Sequence, residues 1–274
     1  MEIRDRLAVV TGGASGIGEA LARRFHADGA RHVVVVDRDE AGAQSVAKEI
    51  GGTGVGVDVS DEDAIRALVA DCERDVGPID LFVSNAGFVT IGGLEAANEE
   101  LQRMWEVHVL AHLYAARAVV PGMIERGGGY LLNTASAAGL LSQIGSLHYA
   151  VTKHAAVALA EWVAMTYGDQ GIRVSVLCPQ AVETRIGENS PSRDRMEGAG
   201  NSAAVDGVIQ PTEVADCVVE ALREERFWVL PHPEVAEYAR RKANDVDRWL
   251  AGMRRFQGRL FPKGQSPGDW LVSS

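Results

Sequence analysis

The sequence predicts an α/β fold: one doubly wound parallel sheet of about seven strands, flanked by helices, in a single domain. Three observations carry that reading. Short β-branched runs alternate with segments of helical length along the 274 residues. Most of the runs are continuously apolar, as suits strands buried on both faces of a parallel sheet. Glycine, present 30 times, clusters in short turns beside those runs.

The apolar runs are LAVVT (7–11), HVVVVD (32–37), GVGVDV (54–59), DLFVSNAG (80–87), YLLNTAS (130–136), RVSVLCP (173–179) and FWVLP (227–231). Between them, helical patterns are expected over 18–28, 61–75, 99–126, 148–170 and 212–225. Ser60, with Asp63 three residues on, is the expected cap of the second of these. No repeat, linker or composition break divides the chain. Residues 1–231 are therefore expected as one domain, with 232–274 as a C-terminal helix and tail packed on it.

Two stretches break the rhythm. Residues 183–210 are polar and rich in Gly and Ser, and an insert of that length is disordered or a functional lid. After Pro231, HPEVAEYARRKANDVDRWLAGMRRFQ reads as one charged amphipathic helix, followed by an extended tail.

The formal charge of −11 disfavours nucleic acid and anionic membrane surfaces as partners. Three distant cysteines, Cys72, Cys178 and Cys217, lack disulfide or zinc spacing. The charged N-terminus MEIRDRLAVVTGG has no apolar signal core, and no apolar run approaches the roughly 20 residues that span a bilayer. A soluble cytoplasmic protein is expected.

TGGASGIG (11–18) follows the first strand and opens the first helix. Gly12, Gly16 and Gly18, with Ser15 and Ile17, would let backbone and helix N-terminus approach a pyrophosphate. Asp37 ends the second strand, where a carboxylate accepts hydrogen bonds from adenosine ribose and repels a 2′-phosphate. Arg38 beside it pulls the other way, but the strand-end position of Asp37 favours NAD over NADP. Asp58 and Val59 are placed to flank an adenine. A turn role for Asp58 stays open.

Tyr149 and Lys153 share a helix face at i,i+4. A neighbouring ammonium lowers a phenol's pKa, which suits Tyr149 to acid–base work on an alcohol or ketone oxygen. Ser136, near a strand end, is placed to hydrogen-bond the same oxygen. TGxxxGxG, Asn85-Ala86-Gly87 and Ser136 with Tyr149-xxx-Lys153, in this order on these elements, together resemble the short-chain dehydrogenase/reductase family over about residues 7–231. The resemblance implies a Rossmann-like dinucleotide-binding fold, NAD as cofactor, no metal, and hydride transfer between the nicotinamide and a small-molecule alcohol or ketone. By it, Tyr149 is the acid/base, Ser136 polarises the substrate oxygen, and Lys153 lowers the Tyr149 pKa and binds the nicotinamide ribose. Asn85, Ala86 and Gly87 back the cofactor, Pro179 and Val182 adjoin it, and Thr184 contacts its carboxamide. Residues 183–210 become a substrate loop closing over the nicotinamide. Helices 99–126 and 148–170 become the interface of a homodimer or homotetramer.

Two positions depart from the family pattern. Gln180 follows Pro179 where the family has glycine, which adds a side chain beside the nicotinamide. His108 stands where the family has an asparagine that holds a water in a proton relay from the lysine. It is expected near Lys153, titrating near neutrality in place of that asparagine, while His112, one turn on, is expected as a packing or interface residue. Ala138, Ile144 and Gln180 are the expected substrate contacts. Phe88, Val89, Leu140, Leu141 and Val182 add apolar surface, which suggests a hydrophobic or alicyclic alcohol. Three other readings compete: a metal-dependent hydrolase on His108, His112 and His148; a non-catalytic NAD sensor or scaffold; and a 3-oxoacyl-thioester reductase. The last is disfavoured by Asp37 and by repulsion between an acidic chain and an acidic carrier protein.

Overall fold

The computed structural model describes residues 1–186, 202–261 and 266–273. Its strands are β1 (Leu7–Thr11), β2 (His32–Asp37), β3 (Thr53–Gly56), β4 (Leu81–Ser84), β5 (Gly129–Thr134), β6 (Ile172–Leu177) and β7 (Trp228–Val229). All pair in parallel, in the order β3-β2-β1-β4-β5-β6-β7. The expected runs 54–59, 80–87 and 130–136 are longer than their strands, because their C-terminal residues leave the sheet to line a cavity.

The helices are α1 (Gly16–Ala27), α2 (Glu40–Glu49), α3 (Glu62–Asp75), α4 (Asn98–Trp105), α5 (Ala111–Glu125), α6 (Ala138–Leu141), α7 (Leu147–Tyr167), α8 (Pro211–Glu224), α9 (Glu234–Asn244), α10 (Val246–Leu260) and α11 (Pro267–Ser273). Alternation along each strand divides the core. Leu7 and Val9 of β1 join residues of α3, α5 and α7 on one face of the sheet. Ala8 and Val10 join α1, α2 and α8 on the other. This double-sided burial is why the strands read as continuous apolar runs. Strand order reverses between β1 and β4, and that switch point opens a crevice at the strands' C-terminal ends.

Several local expectations are corrected. Asp61, not Ser60, caps α3: its carboxylate accepts from the N–H groups of Asp63 at 2.9 Å and Ala64 at 3.2 Å. Ser60 instead donates to Asp58 at 2.7 Å. The single helix expected over 99–126 carries a π-helical turn, Glu106–Leu110, between α4 and α5. A π turn widens the helix by one residue, a feature frequent at functional sites, and His108 sits inside it.

The composite helix 98–125 is also long and apolar enough, at mean hydropathy 1.3, to cross a membrane by composition. Half of its most apolar window is buried in the protein, so core packing accounts for its apolarity, and the expectation of no such run is corrected. The C-terminal helix is two helices. Asp245 is extended and caps α10 by accepting from Arg248 N–H at 2.9 Å, which ends α9. The tail expected to be extended contains α11.

Candidate active site

A cavity of about 1130 Å³ lies at the switch point. Its first wall is the β1–α1 turn. Gly12 has φ +65, and a Cβ there would lie 2.8 Å from Ala86 Cα. Only glycine permits that backbone course and that approach. No side chain caps α1, and Ser15, Gly16 and Ile17 line the cavity, so the helix N-terminus is open to an anion. Gly18 has a different role from the one expected. Its added Cβ would meet Gly12 O at 2.1 Å, so it allows helix–turn packing and does not line the cavity.

The second wall is the end of β2, where the sequence places an adenosine ribose. Asp37 Oδ2 accepts from Ala14 N–H at 3.1 Å and Oδ1 from Asp39 N–H at 3.0 Å, which fixes the carboxylate at the rim. Arg38, Asp58 and Val59 line the same region. The Ser60 hydroxyl and backbone N–H hold the Asp58 carboxyl below its ordinary pKa, with further pull from Arg103 and Arg38. Arg103 was missed by the sequence reading. It lies one helical turn before Val107, and that shared face was its available signal.

Asn85 braces the floor. Its Nδ2 donates to Thr11 O at 3.1 Å, and its Oδ1 accepts from Thr134 Oγ1 at 3.1 Å, tying β1, β4 and β5 together. Ala86 and Gly87 line the cavity beside it, as do Pro179, Val182 and Thr184. The Thr184 methyl would lie 3.0 Å from a Cβ on Gly16, so the β6 loop and the β1–α1 turn close on one space.

Ser136, Tyr149 and Lys153 meet in this cavity. Ser136 Oγ accepts from Ala138 N–H at 3.1 Å and lies 3.3 Å from Pro179 O. Lys153, 3% exposed, donates to Thr134 O at 2.9 Å, and its Nζ lies 5.6 Å from the Tyr149 ring centroid. Burial pushes the Lys153 pKa down to about 8. Burial also raises that of Tyr149, against a lowering hydrogen bond from Ser136. The downward shift expected for Tyr149 is thus corrected: desolvation of the phenolate outweighs its neighbours.

His108 lies beside Lys153, as expected: a Cβ on Gly87 would sit 3.3 Å from His108 Nε2 and 3.7 Å from Lys153 Nζ. Its chemistry is not the expected one. Nε2 accepts from Phe88 N–H at 3.2 Å, and Nδ1 lies 3.0 Å from Thr152 Oγ1. Thr152 in turn donates to His148 O at 2.9 Å, so Nδ1 carries the proton. Both nitrogens are spent, which leaves no lone pair for a metal or a relay water. Burial, then the charge of Lys153, holds the pKa well below neutrality, which overturns the expected titration. His112 is buried, and neither ring nitrogen has a partner among the described residues.

Of the expected substrate contacts, Ile144 and Gln180 line the cavity and Ala138 does not. Ala138 opens α6, its N–H taken by Ser136. Leu140 and Leu141 pack instead against the C-terminal helices. Gln180 N–H donates to His232 Nδ1 at 3.2 Å, and its buried Oε1 lacks a partner among the described residues. Most of the expected loop 183–210 lies outside the described residues. Phe261, far along the chain, lines the cavity and had no sequence signal.

A glycine-shaped anion cradle, a ribose-placed carboxylate and a Ser–Tyr–Lys group in one crevice define an oxidoreductase that uses a nicotinamide dinucleotide. The chain belongs to the short chain dehydrogenase family, whose model matches residues 6–195. It is 35% identical over 261 residues to a 1-deoxy-11-beta-hydroxypentalenate dehydrogenase of Streptomyces exfoliatus, covering 92% of each chain. It is 35% identical over 193 residues to a 3beta-hydroxysteroid dehydrogenase 2 of Eggerthella lenta, covering 68% of this chain and 74% of that one. A short chain dehydrogenase/reductase from Burkholderia phymatum, solved in complex with NAD, superposes with a TM-score of 0.82 at 28% identity, covering 90% and 96%.

Proposed function

We propose that the protein is an NAD-dependent dehydrogenase that transfers hydride between NAD(H) and a hydrophobic secondary alcohol or ketone. The observation that carries this reading is the meeting of Ser136, Tyr149 and Lys153 in the cavity whose rim holds Asp37. When bound, the nicotinamide supplies the hydride acceptor or donor. Gly12, Ser15, Gly16 and Ile17 would hold its pyrophosphate, and Asp37 its adenosine ribose. Thr184, Pro179 and Val182 would border the nicotinamide. The Asp37 carboxylate favours NAD because it would repel a 2′-phosphate.

In the oxidation, Ser136 Oγ turns from Pro179 O to the substrate oxygen, and Tyr149 Oη takes the hydroxyl proton. The Lys153 ammonium stabilises the phenolate that accepts this proton, and the proton converts it to the phenol. In the reverse direction, burial keeps Tyr149 protonated and ready to donate to the carbonyl oxygen.

His108 is a positioning residue. It ties Phe88, after β4, to Thr152 on helix α7 and packs edge-on against the Tyr149 ring, centroids 5.7 Å apart, so it holds that ring in place. Apolar side chains at Phe88, Val89 and Ile144 support a hydrophobic substrate, as do relatives whose names specify a hydroxypentalenate and a hydroxysteroid. Residues 1–231 would form the binding and catalytic domain, with 232–274 packed on it. Exposed Trp162 and Met165 on α7, at 53% and 77%, support a homodimer or homotetramer.

The test is NADH formation with a panel of secondary alcohols. Turnover with cyclic alcohols and NAD, and far less with NADP, is expected. No turnover with any alcohol or matching ketone overturns the reading.

A further inference from the structure

We propose that Phe261 is a specificity-determining residue, an aromatic wall that the C-terminal helices carry into the active-site cavity to select rigid alicyclic substrates. This rests on the dehydrogenase reading above. No residue of α10 is buried, and its Val246 and Leu250 are more than half exposed. Phe261, where the helix ends and the backbone turns extended, is only 6% exposed and lines the cavity with Ser136 and Tyr149. The helix is at most half-buried along its length, with Trp249 packed on the Ala137, Leu141 and Val235 cluster, and it ends on the one phenylalanine that is buried at the cavity.

The anchors of the extension fix where it sits. Val235 of α9, fully buried, packs on Ala137 and Leu141, directly after Ser136. Lys242 donates to Leu140 O at 2.6 Å, and its Nζ lies 3.5 Å from His154 Nε2, next to Lys153. Tyr238 donates to Asp206 Oδ1 at 2.9 Å and packs against Trp249 of α10, ring centroids 6.4 Å apart. The extension therefore docks over α6, on the Ser136 side, whereas the cofactor cradle is built from the β1–α1 turn and the β2 end. A flat phenyl face rewards a rigid apolar ring system and offers nothing to a short chain or a charged group.

The variants Phe261→Ala and Phe261→Leu are compared with wild type at saturating NAD, on the bicyclic alcohol borneol and on 2-butanol. Phe261→Ala is expected to lower kcat/KM for borneol at least about tenfold, mainly through KM, and to change 2-butanol less than about twofold. Phe261→Leu, which keeps bulk, should fall between, and the KM for NAD should stay constant in both. Equal losses on both alcohols, or no loss on either, overturn the proposal. Wild-type inactivity on both alcohols counts against the dehydrogenase reading instead. In that case calorimetric binding of camphor, with NADH present, decides the role of Phe261. Binding about tenfold weaker in Phe261→Ala upholds it, and equal binding overturns it.

Discussion

The two ends of the cavity are built by different means. The cofactor end comes from short local segments: the turn 11–18, the end of β2, and Asn85 to Gly87 after β4. Each is a contiguous stretch at a strand terminus, held by backbone geometry such as the φ of +65 at Gly12. The substrate end is assembled from distant pieces. Of the residues proposed to line it, Ile144, Gln180 and Phe261 come from three separate segments and share no motif. A site fixed by local backbone accepts one ligand, and a site fixed by long-range docking is free to change its ligand without disturbing the fold.

The largest effect that distinguishes the ends is expected at their junction. Ser136→Ala should lower kcat about 100-fold with an unchanged KM for NAD, since it removes a donor to the reacting oxygen. A raised KM for NAD in steady-state kinetics would place Ser136 at the cofactor end instead. Asp37→Ala should raise the KM for NAD about tenfold, from the loss of ribose hydrogen bonds of roughly 1–2 kcal/mol, and leave the alcohol KM unchanged. Parallel titrations of NAD and NADP should show the preference narrowing, and an unaltered ratio would remove Asp37 from cofactor choice.

Stability should respond to pH through the two histidines buried beneath the cavity wall, His108 and His112. Burial holds the His112 pKa down at about 3 and that of His108 well below 6.5. A depressed folded-state pKa gives stability that is present above 6.5 and lost as pH falls towards about 3, because the unfolded chain binds the protons. The slope approaches about 1.4 kcal/mol per pH unit for each histidine. Denaturant unfolding of His112→Leu should show a shallower acid limb than wild type. Identical limbs would mean that His112 is not buried neutral.

The smallest effect concerns rate. Because burial keeps Tyr149 protonated, ketone reduction should stay flat through neutral pH while alcohol oxidation rises. A neutral-pH inflection that His108→Asn removes would restore His108 as a titrating relay.

Most of the fold was legible in the sequence because parallel strands buried on both faces leave continuous apolar runs, and those runs mark the seven strands along the chain; their order in the sheet comes from the structure. The errors were local. Ser60 and Asp61 compete for one cap, and only the backbone course decides between them. The break at Asp245 is a single side chain ending a helix whose charge pattern continues across it. The cofactor end and the Ser136, Tyr149 and Lys153 group were legible because their chemistry needs fixed types at short spacing. His108 was legible in place but not in role. Its partners, Phe88 and Thr152, lie 20 and 44 residues away, beyond any local pattern. Phe261 was invisible because only tertiary docking of α9 and α10 brings it to the cavity.

The most direct test is NADH formation from a cyclic secondary alcohol by wild type and Tyr149→Phe, with NAD binding measured on both. The expected result is turnover by wild type and a loss of at least about 100-fold in Tyr149→Phe, with NAD affinity unchanged. Retained turnover in Tyr149→Phe would contradict the assignment of Tyr149 as the group that moves the proton.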